Sequence, residues 1–183
     1  MSGRPPRPAR SARAEQIVAC ARDILESEGQ AAVTMRRIAQ RLGIRAPSLY
    51  KHFASKRDLE MALVEQGLDE VGVALHRAVD AAPSRQGLRE LLRTYRAEAL
   101  SHPNLYRLAT VGPLARDELT PGLEDWAGAP FLTVTGDPHV AQALWSFAHG
   151  MVVLELDGRF PESSDLDRTW AAGAKAFAGP QPR

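Results

Sequence analysis

The chain has 183 residues, 44% of them hydrophobic and 25% charged, which is typical of a soluble globular protein of one or two domains. Its single cysteine, Cys20, excludes an internal disulfide and a cysteine-rich metal site, and is expected to be a small buried apolar residue. No stretch approaches the roughly 20 consecutive apolar residues of a membrane span, and the N-terminus lacks the apolar core of a secretory signal, so we expect a cytoplasmic protein without a membrane partner.

Charge is divided unevenly along the chain, although the net charge is only +1. Residues 1–60 hold 12 Lys and Arg against 6 Asp and Glu, a balance of +6, whereas residues 61–183 hold 11 against 16, a balance of −5. A basic first third is typical of proteins that bind a polyanion such as DNA. An unevenly charged surface with no nucleic-acid partner is the alternative that charge alone leaves open.

The predicted elements begin with a basic arm, residues 1–12 (MSGRPPRPARSA), which has too little apolar surface to pack and is expected to be disordered. Such an arm could lie in the minor groove of DNA, and a frayed tail without contacts is the equal alternative. A first helix is predicted from Ala12 to Ser27, and Thr34 is predicted to cap a second. A short third helix is predicted to start near Ala46 and to close at Phe53.

The fourth helix is predicted to begin with a capping box formed by Ser55 and Asp58 and to extend to about Val79. Apolar residues at helical spacing then predict an amphipathic helix over residues 88–102 and a short helix before Gly112. These two helices follow the Pro-containing break near the end of the fourth.

Residues 112–138 contain repeated Gly and Pro and carry no clear structural prediction. A long apolar helix is predicted from Pro138 to Gly158, and a last helix from about Ser164 to Phe177. Because no run of alternating apolar residues predicts a strand, we expect an all-α fold of about nine helices.

Residues 34–53 (TMRRIAQRLGIRAPSLYKHF) have the features of a helix-turn-helix. Ala39 is small where two helices must cross closely, and Gly43 permits a tight turn. Ile44 and Leu49 are expected to bury against Ile38, while the outward positions of the second helix stay short, polar or basic. Such a recognition helix places its N-terminal residues at base edges in the major groove.

The continuation GIRAPSLYKHFASKRDL resembles the TetR family of bacterial regulators, whose first three helices end in a segment of the form G-x-x-x-x-[ST]-[LI]-Y-x-[HY]-F-x-[ND/S]-K-x-x-L. The matching residues are Gly43, Ser48, Leu49, Tyr50, His52 and Phe53, followed by Ser55, Lys56 and Leu59. The upstream pattern T-x-x-x-[IL]-A-x-x-[AL]-G is matched by Thr34, Ile38, Ala39, Leu42 and Gly43. The resemblance implies a helix-turn-helix DNA-binding domain over residues 13–58 and a helical effector-binding and dimerisation domain over residues 59–180.

Arg45 is the residue we expect to make a bidentate contact with guanine. Tyr50, His52 and Lys56 resemble phosphate-contacting positions of the family. Half-buried packing of Tyr50, with its hydroxyl still at the DNA face, and a helix C-cap for His52 are alternatives. The full predicted DNA-binding set is Thr34, Arg36, Arg45, Ala46, Pro47, Ser48, Tyr50, Lys51, His52 and Lys56.

The segment LWSFAHGMVVLELDGRF is similar to a subgroup of the family that carries a W-x-x-x-H-G pattern in its C-terminal domain. An apolar effector pocket is predicted on aromatic residues, with plain core packing as the alternative. Its candidate lining residues are Tyr95, Tyr106, Trp126, Phe131, Trp145 and His149. The last two helices are expected to pair with those of a second copy, and the candidate interface residues are Val152, Val153, Leu156, Trp170 and Phe177.

The resemblance predicts a homodimeric repressor that binds a palindromic operator in double-stranded DNA and is released by a small hydrophobic effector. A repressor or activator that responds to no effector is the alternative. An enzyme is a remote alternative, because the sequence lacks a nucleophile motif, a phosphate-binding glycine loop and closely spaced metal ligands. No catalytic residue, metal or cofactor is therefore expected.

Overall fold

The structure, a computed structural model, describes residues 3–7, 9–83 and 86–178, and over these ranges it contains nine α-helices, two short 3-10 helices and no strand. The helices are α1 (Ala12–Glu28), α2 (Met35–Arg41), α3 (Ala46–Leu49), α4 (Lys56–Ala81), α5 (Gly87–Ser101), α6 (Pro103–Thr110), α7 (Leu123–Thr135), α8 (Pro138–Leu156) and α9 (Leu166–Phe177). The predicted all-α fold is confirmed.

The chain forms two compact units, each assembled from two separate segments. The first unit comprises Met1–Asp69 and His102–Glu124, and the second comprises Glu70–Ser101 and Asp125–Arg183. The predicted domain boundary after residue 58 therefore falls within the first unit, which also takes in α6. That residues 59–180 act as one effector-binding and dimerisation domain stays a prediction, and its last two residues lie outside the described ranges.

The core of the first unit is a continuous cluster of aliphatic side chains contributed by α1, α2, α3, α4 and α6. Its fully buried isoleucine and leucine side chains are Ile17, Ile24, Leu25, Ile38, Leu49, Leu59 and Leu63, and α6 adds Leu105 at 3% exposure. Each such side chain contributes about 1.5–3 kcal/mol of transfer free energy when it leaves water. This cluster is what fixes the directions of α2 and α3.

Side-chain caps begin the N-terminal helices at the predicted places. The Thr34 hydroxyl accepts a hydrogen bond from the Arg37 backbone N–H at 3.1 Å. At the start of α4, the Asp58 N–H donates to the Ser55 hydroxyl at 3.1 Å, and the Asp58 carboxylate accepts from the Ser55 N–H at 3.1 Å. These reciprocal bonds satisfy donors that a helix start leaves free, and they confirm the predicted capping box.

The third helix is shorter than the sequence predicts. It ends at Leu49 rather than Phe53, and the Leu49 carbonyl accepts hydrogen bonds from the N–H groups of both His52 and Phe53. The chain therefore leaves the helix in a tight turn, which still returns Phe53 to the core at 7% exposure.

The second unit is built on aromatic packing among α4, α5, α7, α8 and α9. Tyr95 and Phe131 meet edge to face with ring centroids 5.6 Å apart, and both are buried. Glycines allow two further rings to approach a helix closely. A Cβ at Gly72 would lie 2.5 Å from the Trp126 ring, and one at Gly173 would lie 2.1 Å from the Phe147 ring.

An ion-pair network adds a polar contact to this packing. The Arg96 guanidinium of α5 donates to Glu155 of α8 at 2.7 Å and to Asp167 of α9 at 2.6 Å. The Trp170 indole N–H donates to the same Glu155 carboxylate at 3.3 Å. The carboxylate partners raise the pKa of Arg96, so the guanidinium stays charged and joins three helices.

Residues 112–138, for which the sequence gives no clear prediction, hold a 3-10 turn at Arg116–Glu118 and helix α7. Pro130 lies inside α7, and this residue type is what obscures a helix in the sequence. Across the described residues, none of the helices is both long enough and apolar enough to cross a membrane.

Candidate nucleic-acid interface

The turn between α2 and α3 has the geometry that a helix-turn-helix requires. Gly43 has a φ of +65°, in the left-handed region where a glycine carries no Cβ penalty. The Ile44 N–H then donates to the Ala39 carbonyl at 3.0 Å, which closes the turn. Ala39 is buried, as expected where a larger side chain would separate the two helices.

One face of helix α3 is buried in the core of the first unit, and the opposite face is exposed. Leu49 is fully buried, and Arg45 is the capping residue before the helix, with Pro47 in its first turn. Pro47 and Ser48 are exposed, Ala46 is partly exposed, and 52% of the Tyr50 surface is accessible. The predicted outward face is therefore open to a partner, and the half-buried packing that the sequence allows for Tyr50 remains an alternative.

Three predicted DNA-contacting cations, Arg36, Arg45 and Lys51, are exposed and have no carboxylate partner among the described residues. Arg36 lies in the first turn of α2, Arg45 precedes α3, and Lys51 follows it. Because no internal carboxylate holds them, these side chains are free to contact phosphates or base edges.

Two neighbouring arginines behave differently. Arg37 donates to both carboxylate oxygens of Glu28, at 2.8 and 3.1 Å, and Arg41 lies 3.5 Å from the same carboxylate. The hydrogen bonds from Arg37 lower the pKa of Glu28, and the carboxylate in turn raises the pKa of Arg37. Glu28 therefore holds Arg37 and Arg41 and leaves Arg36 and Arg45 unpaired among the described residues. The sequence does not reveal this, because Glu28 lies on α1 and the arginines that it holds lie on α2.

Three more predicted contacts lie at the edges of this surface. Lys56 begins α4 and pairs with Glu60 at 3.4 Å, one helical turn on. His52 is exposed, and its Nδ1 lies 3.5 Å from the Ser11 hydroxyl at the start of α1. Thr34 is exposed, but its hydroxyl already accepts the capping hydrogen bond of α2. All ten predicted residues thus lie in the first unit, and their contact with DNA stays a prediction.

The predicted effector residues are divided between the two units. Tyr106 belongs to the first unit, whereas the other five belong to the second. Tyr95, Trp126 and Phe131 are buried against other side chains, and Trp126 stacks on His76 with ring centroids 4.9 Å apart. Their surroundings resemble the core packing that the sequence leaves open as an alternative.

Trp145 and His149 lie elsewhere in the second unit, stacked on each other at 5.6 Å along α8. Trp145 is 46% exposed, so it does not line an enclosed site within its own unit. Partial burial lowers the pKa of His149, which favours the neutral imidazole.

A cleft of about 170 Å³ lies in the first unit between α4, α6 and residues 111–115. It is smaller than the roughly 300–1,000 Å³ of typical small-molecule sites, and none of the predicted effector residues lines it. Within the described ranges there is also no group of three or more His, Cys, Asp or Glu side chains that could hold a metal ion.

The predicted dimer-interface residues differ in exposure. Val152 and Trp170 are buried in the second unit, with Trp170 packed edge to face on Phe147. They have little surface with which to contact a second copy. Val153, Leu156 and Phe177 are partly exposed.

Helices α2 and α3 thus form a hairpin with a capped first helix, a glycine in the turn and exposed cations without a carboxylate partner in the described part of the chain. These features are typical of the class of helix-turn-helix DNA-binding regulators. Residues 17–63 match the family model of bacterial regulatory proteins of the tetR family, and residues 88–177 match that of a tetracyclin repressor-like C-terminal domain. The chain is 32% identical over 162 residues to a helix-turn-helix-type transcriptional regulator of Mycobacterium tuberculosis, covering 83% of this chain and 73% of that protein. It belongs to the TetR family of bacterial transcriptional regulators.

Solved structures agree with this fold. A Rhodococcus sp. RHA1 protein superposes with a TM-score of 0.80 at 22% identity, covering 92% of this chain and 95% of that one. A TetR variant from Acinetobacter baumannii in complex with minocycline superposes with a TM-score of 0.61 at 25% identity, covering 88% and 92%. The resemblance read from residues 34–59 is confirmed, and assignment to the W-x-x-x-H-G subgroup stays a prediction.

Proposed function

We propose that the protein binds a palindromic operator as a homodimer and represses transcription until a small hydrophobic effector releases it. The observation that carries this proposal is the contrast on the helix-turn-helix between cations held by Glu28 and cations left unpaired. Arg45 is suited to a guanine, and Arg36 and Lys51 to phosphates or neighbouring bases. Because its partner is DNA, we place the protein in the cytoplasm.

Selection of bound duplexes from a random-sequence pool tests the operator proposal. A homodimer with two-fold symmetry should select an inverted repeat whose half-sites are about one helical turn, 34–36 Å, apart. Recovery of a single asymmetric site would contradict the palindromic operator without contradicting DNA binding.

For the dimer we propose the face of α8 that carries Trp145, His149, Val153 and Leu156. These four residues follow one another at spacings of three or four, so they share a helix face, and all are exposed or partly exposed. An apolar face of this kind on a surface helix is typical of a protein interface. Phe177 of α9 is the remaining partly exposed residue of the predicted set.

Sedimentation of the Trp145→Glu variant tests this face. A charge at the centre of an apolar interface should convert the dimer to a monomer at micromolar concentration. Leu132→Glu is the matched control, because Leu132 of α7 is equally exposed at 46% and lies outside the proposed face. A Trp145→Glu variant that remains dimeric, or a Leu132→Glu variant that dissociates, would contradict the assignment.

The effector site is proposed on the aromatic cluster of the second unit, at Tyr95, Trp126 and Phe131. Support comes from the concentration of aromatic side chains there and from the TetR variant solved with minocycline. None of the predicted lining residues is a lysine, arginine, aspartate or glutamate that could pair with a charged ligand, which favours a neutral, hydrophobic compound. A ligand at 100 times its Kd should stabilise the protein by about 2.7 kcal/mol and should release DNA.

A thermal-shift screen with neutral hydrophobic compounds tests the effector. A hit should lose its effect in Phe131→Ala and keep it in Leu132→Ala, since Leu132 is the exposed neighbour. If no compound both stabilises the protein and releases DNA, regulation without an effector is the better account.

A further inference from the structure

The described residues of the basic arm, 3–7 and 9–12, contact α4, although the sequence predicts disorder; residues 1, 2 and 8 of the predicted arm lie outside the described residues. Arg4 donates to both carboxylate oxygens of Asp69, at 2.7 and 2.6 Å, and Arg7 lies 3.5 Å from the same carboxylate. Arg10 donates to Glu65 at 2.9 Å, one turn earlier on α4. The arm is thus bound along α4 by two acidic residues that the sequence pattern does not connect to it.

Asp69 is well suited to hold an arginine. It is only 3% exposed and is the one buried charged residue among the described residues. A carboxylate withdrawn from water needs a cation and hydrogen bonds, and the bidentate Arg4 contact supplies both. Glu65 is held in place by Thr120, whose N–H and hydroxyl donate to it at 2.8 and 2.6 Å.

The arm leads away from the candidate DNA surface. It joins α1 at Ser11, which lies 3.5 Å from His52, whereas its tip contacts Asp69. Asp69 is 13 residues beyond Lys56 in the same helix, a rise of about 20 Å. Residues 4–10, fully extended, span about 23 Å, so an arm released from α4 can reach DNA bound next to His52.

We propose that Asp69 and Glu65 form a latch that keeps the arm on α4 even when the helix-turn-helix contacts DNA, and that opening the latch lets the arm add arginine contacts to DNA phosphates. The two carboxylates compete with phosphate for the same guanidinium groups, so the latch withholds these contacts from DNA and weakens binding. Arg4 and Arg7 are still 47% and 43% exposed on their side chains, which leaves them accessible to an incoming phosphate. The inference rests on DNA binding by the family's helix-turn-helix.

Salt-dependent anisotropy with a fluorescein-labelled 24-bp mixed-sequence duplex tests the latch. Asp69→Asn keeps the shape of the side chain and removes its charge, so it should release Arg4 and Arg7. Because each neutralised phosphate adds about 0.9 to the slope of log K against log salt, the slope should steepen by about 1.8 per chain. Asp69→Asn should also bind the duplex more tightly than the wild-type protein at 50 mM KCl. The ratio of the two affinities should fall roughly tenfold between 50 and 200 mM KCl.

Two comparisons separate this effect from a general change of charge. Asp80→Asn makes the same substitution at an exposed position of α4 that is away from the arm, and should leave the slope unchanged. In an Arg4→Gln, Arg7→Gln background, Asp69→Asn should no longer strengthen binding. An unchanged slope in Asp69→Asn, or a gain that persists without the arginines, overturns the proposal.

A second readout needs no DNA and so distinguishes failure of the latch from failure of DNA binding. Trypsin cleaves after Arg10 but resists the Arg4–Pro5 and Arg7–Pro8 bonds, because proline follows the arginine. Opening the latch with Arg4→Gln and Arg7→Gln should accelerate cleavage after Arg10 in the folded protein, and an unchanged rate overturns the proposal. If Asp69→Asn fails to fold, Glu65→Gln replaces it, with an expected steepening of about 0.9 through Arg10.

Discussion

The helix-turn-helix and the aromatic core of the second unit are held together by contacts of different reach. In the helix-turn-helix, Thr34 caps the N–H of Arg37 three residues on, and Gly43 lets the chain turn within the same short stretch. In the second unit, His76 meets the Trp126 carbonyl across 50 residues and Arg96 meets Glu155 across 59. Short-range contacts shape the helix-turn-helix, whereas the second unit depends on pairs that only the complete fold brings together.

The largest stability losses are expected when the long-range pairs of the second unit are disturbed. Gly72→Ala should destabilise it by up to about 3 kcal/mol, because the new Cβ meets the Trp126 ring at 2.5 Å and the Ala127 backbone at 3.1 Å. All three tryptophans lie in the second unit, so the change in tryptophan fluorescence on denaturation arises there.

The matched control is Gly128→Ala in α7, where a Cβ would meet nothing within 4 Å. It should stabilise the helix by about 0.5–1 kcal/mol, since alanine is the better helix former. Equal changes in stability at both glycines would contradict the claim that Gly72 is needed for the close approach of the Trp126 ring.

A smaller loss is expected when the ion-pair network of the second unit is opened. Arg96→Met keeps an apolar stem but leaves Glu155, 14% exposed on its side chain, without a cation, at a cost of about 2 kcal/mol. Arg93→Met on the same helix removes only an exposed pair with Glu90 and should cost less than about 0.5 kcal/mol in the same assay. Similar losses of stability in the two variants would contradict the proposed contribution of the Arg96 ion pairs.

The smallest loss is predicted for the short-range cap of the first unit. Thr34→Ala removes the side-chain acceptor for the Arg37 N–H and should destabilise the first unit by about 1 kcal/mol. Urea denaturation followed by circular dichroism measures it. Thr34→Ser, which retains the hydroxyl, should restore stability, and failure of this rescue would show that the methyl group rather than the cap is important.

The same contrast explains what the sequence predicts and what it does not. The caps at Thr34 and Ser55 and the turn at Gly43 were predictable because each depends on neighbours within a few residues. The pairing of Arg37 with Glu28, the arm held by Asp69 and the packing of Trp126 on Gly72 depend on helix directions, which no local pattern encodes. Helix α7 was missed because Pro130 interrupts its pattern.

The central claim, that the cations left unpaired on the helix-turn-helix read DNA, is tested most directly by comparing Arg45→Ala with Arg37→Ala on the selected operator. Each variant loses one positive charge, but Arg37 is held by Glu28 and Arg45 is not. Fluorescence anisotropy should show that Arg45→Ala costs about 1–3 kcal/mol and relaxes discrimination at one base pair. Arg37→Ala should weaken all duplexes equally and by less. If Arg37→Ala costs more, or relaxes a base position while Arg45→Ala does not, the account is wrong.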